Sequence, residues 1–173
     1  MALNCSTLEE ILRDCSNAIG GIDQRIYIND SENIADSGLT LSVSAHTYTA
    51  ITTNGTDFQT IEFRKNLASY EEPYTRNDDG SVIFTPTLTI PIHGRDASKS
   101  RKISLIAAGQ REVDIIIPTN DGNYVYFRKM QLQSLADGSG ANKTDASKYT
   151  LVFDGQSENL AYYVTEAAVL SVI

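Results

Sequence analysis

The clearest pattern in the chain is the alternation in "SVIFTPTLTIPIH", residues 81–93. Val82, Phe84, Leu88, Ile90 and Ile92 point one way, and Thr85, Thr87, Thr89 and His93 the other. A period of two with one threonine face predicts an antiparallel strand that is wet on one side. Pro86 and Pro91 lack the donors a central strand needs, so this strand belongs at an edge or pairs irregularly. Shorter strand signals recur along the chain. "IDQRIYI" (22–28) alternates, and "LTLSV" with "HTYTAIT" (39–52) reads as one long strand or a hairpin. "FQTIEFR" (58–64) follows a hairpin turn at Asn54-Gly55, and "VDIIIP" (113–118) and "NYVYFRKM" (123–130) flank another at Thr119-Asn120-Asp121-Gly122. "YTLVFD" (149–154), a turn at Asp154-Gly155 and "NLAYYVTEAAVLSVI" (159–173) complete the series. Residues 65–81, "KNLASYEEPYTRNDDGS", keep no period and predict a long loop, of a length that is usually functional or disordered.

Helical spacing is confined to two places. Ser6 and Glu9 match a capping box, and Leu8, Ile11, Leu12 and Cys15 follow at i, i+3, i+4 and i+7 before Gly20-Gly21 offers a pivot. Asp96 can cap a second helix over 97–109 with Ile103, Ile106 and Ala107 facing inward. Eight to ten strands, one or two short helices and no βαβ order predict a mainly β chain, an antiparallel sandwich or barrel with long loops. The length of 173 residues suits a single domain over 1–173, with 1–21 as an N-terminal arm or helix.

Composition narrows the class. Apolar residues make up 41% of the chain and charged residues 21%, which argues against disorder throughout. No run approaches 18 apolar residues and the N-terminus has no apolar signal core, so neither a membrane span nor export is expected. On that expectation the sequons at Asn4, Asn54 and Asn142 are chance matches. The net charge of −8 disfavours gripping nucleic acid with the whole surface. Residues 95–111, however, hold Arg95, Lys99, Arg101, Lys102 and Arg111 against Asp96 alone, a local +4, which leaves −12 for the rest. That segment is either a solvated helix face or one side of a seam that meets the acidic surface of another copy.

Candidate chemistry is thin. "DGSGANKT" (137–144) resembles a phosphate loop, but Asp137 and Asn142 stand where the pattern needs glycine, and a strand comes next where a helix should. Asp137, Asp145 and Asp154 are too dispersed for an EF-hand. Cys5 and Cys15 fit no zinc spacing and read as packed thiols. His46 and His93 lie outside any nucleophile motif, and Glu71-Glu72 and Asp78-Asp79 read as solvated loop charge. No enzyme, metal or cofactor is expected.

In their order, "DCSNAIGGIDQRIYINDSENI", "FTPTLTIPIHGRDASKSRKISLIAAG", "VDIIIPTNDGNYVYF" and "GSGANKTDASKYTLVFDGQSENLAYYV" resemble virion structural proteins of tailed phages that infect Bacteroidetes, specifically tail tube proteins. The resemblance runs from about residue 14 to 167 and carries no catalytic signature. It implies a tail-tube type β-sandwich or barrel, assembled in the host cytoplasm into stacked, hexameric rings of the virion tail. The partners it implies are further copies of the chain, a tape-measure protein, a tail terminator, baseplate or tip proteins, and double-stranded DNA that passes without specific binding. Residues 65–81 would be the long inter-subunit loop and 135–148 another contact loop. The contact residues expected are Tyr70, Glu71, Glu72, Tyr74, Arg95, Lys99, Arg101, Lys102, Asp137, Lys143 and Asp145. A helical "CSTLEEILRDC" departs from what such an arm needs, and it can instead pack on its own subunit. The alternatives are a head-tail connector or tail terminator, a capsid decoration protein, and a carbohydrate- or protein-binding β-sandwich module. Exposed Tyr70 and Tyr74 would serve the last, although the lack of tryptophan weakens a sugar site.

Overall fold

A run as apolar as residues 113–118, broken only by Asp114, fits a strand with both faces buried, and the computed structural model of residues 20–108, 111–139 and 147–173 places it so. The strands are, in order, β1 (Arg25–Asp30), β2 (Leu39–Ser42), β3 (Thr47–Ile51), β4 (Gln59–Glu62), β5 (Ser69–Glu71) and β6 (Tyr74–Arg76). They continue with β7 (Val82–Phe84), β8 (Thr87–His93), β9 (Glu112–Pro118), β10 (Tyr124–Gly138), β11 (Lys148–Asp154) and β12 (Tyr162–Val164). Helix α1 (Ala97–Ala107) lies between β8 and β9, and α2 (Glu166–Leu170) follows β12. The described chain is therefore mainly β with few helices. Ten strands form one curled sheet, and β6 and β7 form a separate hairpin.

Strands β1, β9 and β10 are the spine. On one face Ile26, Ile28, Ile115, Ile117 and Phe127 pack against Leu88, Ile90, Leu151 and Phe153, with Ile103 of α1. On the other, Tyr27, Ile116 and Tyr126 pack against Tyr48, Ile51 and Phe58, with Ala168 and Val169 of α2. Two hydrophobic clusters share one wall. Burying an aliphatic or aromatic side chain here stabilises the fold by about 1.5–3 kcal/mol each.

Several elements match the sequence. Asp96 caps α1 by accepting the Lys99 N–H at 2.8 Å, and Ile103 is buried. The β9–β10 hairpin turns at Gly122, whose φ of +87° a side chain would strain. In β8 the alternation holds, with Leu88, Ile90 and Ile92 buried. The Gly155 N–H bonds the Pro86 carbonyl and the Gly94 N–H bonds the Ser147 carbonyl, so even-numbered β8 residues face β11. Odd-numbered Pro91 then faces the other edge, beyond the end of β5, where its missing donor is harmless.

Other expectations are corrected. Residues 81–93 are two strands, broken at Thr85-Pro86, of which β7 leaves the main sheet. The Asn54-Gly55 turn makes no hairpin: β4 pairs with β1, while β3 pairs with β2 and β12. Residues 65–81 are no irregular loop but hold β5, β6 and a turn closed by the Asn77 N–H on the Ser81 carbonyl. Ala107 is exposed. The C-terminal run ends in α2, capped by Thr165, because a three-residue strand already satisfies the sheet and Ala168, Val169 and Val172 are needed in the second cluster. The N-terminal helix expected over residues 6–15 lies outside the described residues.

Candidate functional site

The long strand β10 changes partners halfway. From Tyr124 to Gln131 it pairs with β9 on one edge, and from Gln131 to Gly138 with β11 on the opposite edge. Beyond Gln131 the edge that β9 vacates pairs with no described residue. The distal half, Gln133–Gly138, is exposed on both faces, Leu135 included. With β11 and β8, which pairs along the other edge of β11, it forms an arm of the sheet whose outer margin offers a row of backbone donors and acceptors that no described strand takes up, a template for pairing with another chain. The sequence predicted a strand over 123–130 and a contact loop over 135–148, whereas β10 runs on to Gly138.

A buried carboxylate holds the point where the sheet divides. Asp114 of β9 is fully buried. It accepts hydrogen bonds from Ser31 Oγ at 2.5 Å, Tyr126 OH at 2.5 Å, the Lys129 N–H at 2.9 Å and Arg128 Nε at 3.3 Å. The β9–β10 register shifts between Phe127 and Met130, and Lys129 within this bulge takes φ +52°. A left-handed lysine is strained, and the bond from its N–H to Asp114 holds it there. Arg128 also donates to Asp36 at 2.8 Å. Burial drives the Tyr126 phenol well above its ordinary range, with the Asp114 charge adding to it. Burial pulls Arg128 down, yet the hydrogen bond to Asp36 and the charge of Asp114 outweigh it and hold the guanidinium more firmly charged. Asp36 is correspondingly lowered by its hydrogen bond from Arg128. Sequence patterning missed this cluster. Its signal was one aspartate inside an otherwise apolar strand, since a buried charge must be paired.

A second set of contacts fastens the arm to α1. Arg95 meets Asp137 at 2.6 and 2.7 Å and lies over the Tyr149 ring at 5.9 Å, and Tyr149 OH shares a 2.6 Å hydrogen bond with Ser100 Oγ. Lys99 Nζ caps the carbonyls of His93 and Gly94 at 3.0 and 2.8 Å.

The chain matches no protein-family model and no curated protein, so its own contacts are the guide to its function.

Of the expected contact residues, Arg95 and Asp137 are brought together within one chain. Lys99 serves the turn between β8 and α1. Tyr70 packs edge-on to Phe127 at 5.4 Å, half-buried, and the Glu72 carboxylate accepts the Ala161 N–H at 2.7 Å, so both anchor their own subunit. Glu71 is exposed on β5, and Tyr74 is 66% exposed on β6, distant in sequence from the arm. Arg101 and Lys102 are exposed on α1 and ion-pair with no described residue. Lys143 and Asp145 lie outside the described residues, as does most of the phosphate-loop lookalike, and the next element of the chain is the strand β11. His46 stacks on Tyr162 at 4.1 Å. His93 has a buried Nδ1 without a hydrogen-bond partner among the described residues. No three described His, Cys, Asp or Glu residues are arranged to hold a metal, and no described helix is long and apolar enough to cross a membrane.

Proposed function

We propose that the protein is a structural virion component of the tail tube kind, which self-associates into stacked, six-membered rings. The observation that carries the reading is the arm, whose outer edge from Leu132 to Gly138 pairs with no described residue. A strand that is exposed on both faces and unpaired along one edge is an aggregation hazard in a monomer and an assembly surface in an oligomer. The arm is also held firmly: Asp114 at its root and the Arg95–Asp137 pair along its length fix its direction. Fixed direction is what an ordered polymer demands of its contact. The net charge of −8 suits a channel that passes DNA without holding it, since acidic walls repel phosphate.

Negative-stain electron microscopy across a concentration series tests this. Hollow tubes or stacking rings are expected from the wild-type chain. Leu135→Lys, a charge on the open strand, is expected to abolish them without lowering the melting temperature. Rings that close but never stack would redirect the assignment to a connector or tail terminator, and monomers under all conditions would sink it.

A further inference from the structure

Where asparagine or aspartate precedes glycine, the glycine nitrogen can reach the side-chain carbonyl carbon before it, because no Cβ bars the approach. The chain holds five such steps, at Asn54, Asp79, Asp121, Asp137 and Asp154. Four of the glycines are tied down. The Gly80 N–H donates to the Asn77 carbonyl at 3.0 Å, the Gly122 N–H to the Thr119 carbonyl at 3.0 Å and the Gly155 N–H to the Pro86 carbonyl at 3.1 Å. Gly138 pairs with Lys148 in the β10–β11 ladder, and Asp137 before it is held by Arg95. Asp79 and Asp121 are engaged too, the first by the Ser81 N–H and hydroxyl and the second by Thr119 and Asn123.

The fifth step is open. Asn54 and Gly55 are exposed, and neither the Asn54 side chain nor the Gly55 N–H bonds to a described residue. Gly55 sits at φ +90°, and a Cβ built on it would meet nothing within 4 Å, so the turn has room to swing. The Asn54 amide is also a better electrophile than the four carboxylates, whose negative charge repels a nucleophile. On both sides of this turn the chain is anchored. The Asn54 N–H donates to the Asn33 carbonyl at 2.8 Å, the Thr56 carbonyl accepts Asn29 Nδ2 at 2.8 Å, and buried Phe58 donates its N–H to the Val172 carbonyl at 2.8 Å.

We propose that Asn54-Gly55 is a site of spontaneous deamidation, the one step of the five that the fold leaves open. The Gly55 nitrogen attacks Asn54 Cγ, its proton passes through solvent to the amide nitrogen, and that nitrogen leaves as ammonia. The resulting succinimide is opened by water at either carbonyl, which gives aspartate or isoaspartate. Both products add a negative charge to a chain already at −8. Isoaspartate also routes the backbone through Cβ, and so inserts a methylene between the anchors at Asn33 and Asn29.

Peptide mapping by mass spectrometry tests this on the full chain, native and in urea, at mildly alkaline pH. In the native chain Asn54 is expected to convert roughly tenfold or more faster than any of the four aspartate steps forms isoaspartate. Urea is expected to speed those four by roughly tenfold or more, because it frees their glycine N–H groups, and Asn54 by less than about threefold. An Asn54 that stays amide in the native chain overturns the proposal, and so does one that urea accelerates as much as the rest. The isoaspartate form, once purified, is expected to quicken amide exchange at Phe58, whereas Asn54→Asp, with the charge but not the methylene, keeps the wild-type rate. Equal exchange in the two forms overturns the lengthening between the anchors.

Discussion

The two halves of β10 belong to one unbroken strand and lead opposite lives. From Tyr124 to Phe127 it is flanked by β9 and β12 and packed on both faces, with Tyr126 and Phe127 almost wholly buried. From Gln133 to Gly138 it pairs with one described strand, and its side chains are exposed on both faces. β9 follows it past the Arg128–Lys129 bulge as far as Gln131, where β11 takes over on the opposite edge, and a charge drawn from β9 holds the bulge. Stability and availability are thus allotted to different stretches of one strand, which a protein that must be rigid and still offer an edge has to do.

The sharpest way to break the comparison is at its hinge. Asp114→Ala leaves Arg128 with Asp36 alone and orphans the Lys129 N–H and two hydroxyls, so it should destabilise the fold by about 3–5 kcal/mol, measured by urea unfolding. A loss under 1 kcal/mol would mean that the bulge is held by something else. Phe127→Ala in the proximal half should lose about 3–4 kcal/mol, whereas Leu135→Ala in the distal half should stay within about 0.5 kcal/mol. Similar losses at the two sites would erase the distinction.

Smaller effects sharpen it. Burial first, and then the charges of Arg64 and Lys148, hold the His93 imidazole below its ordinary range. Where the unfolded chain already binds this proton and the fold does not, protonation favours unfolding. Stability should therefore be complete above about pH 6.5 and decline as pH falls from there toward the folded value. His93→Gln should flatten that slope between pH 7 and 5 in thermal melts, and an unaltered slope would assign it to another group. Smallest of all, Asp137→Asn should leave the melting temperature unchanged while amide exchange quickens only in the arm, since an exposed ion pair stabilises little.

How legible all this was depended on whether the deciding contacts were local. Asp96 and the residues of α1, or Gly122 between two apolar runs, carry their instructions within a few positions, and those elements were readable. The pairing of β4 with β1 was not, because the Asn54-Gly55 turn indicates a reversal without naming the strand that receives it. Alternation says little of a strand that is wet on both faces, so the arm passed for a loop. Helix α2 hid in "EAAVLSVI", where β-branched residues suggest a strand until one sees that the second cluster needs Val169 and Val172. The aspartate in "VDIIIP" was the clearest clue left unread, a lone charge in a run with no room for one.

The bulge at Arg128–Lys129 also sets where the gene can tolerate a change of length. Because the Lys129 amide must arrive at Asp114, every residue between the Gly122 turn and Met130 is counted, and one inserted or deleted codon there would carry the amide away from its carboxylate. A change of length, and any epitope grafted for labelling, should therefore be refused at this root of the arm.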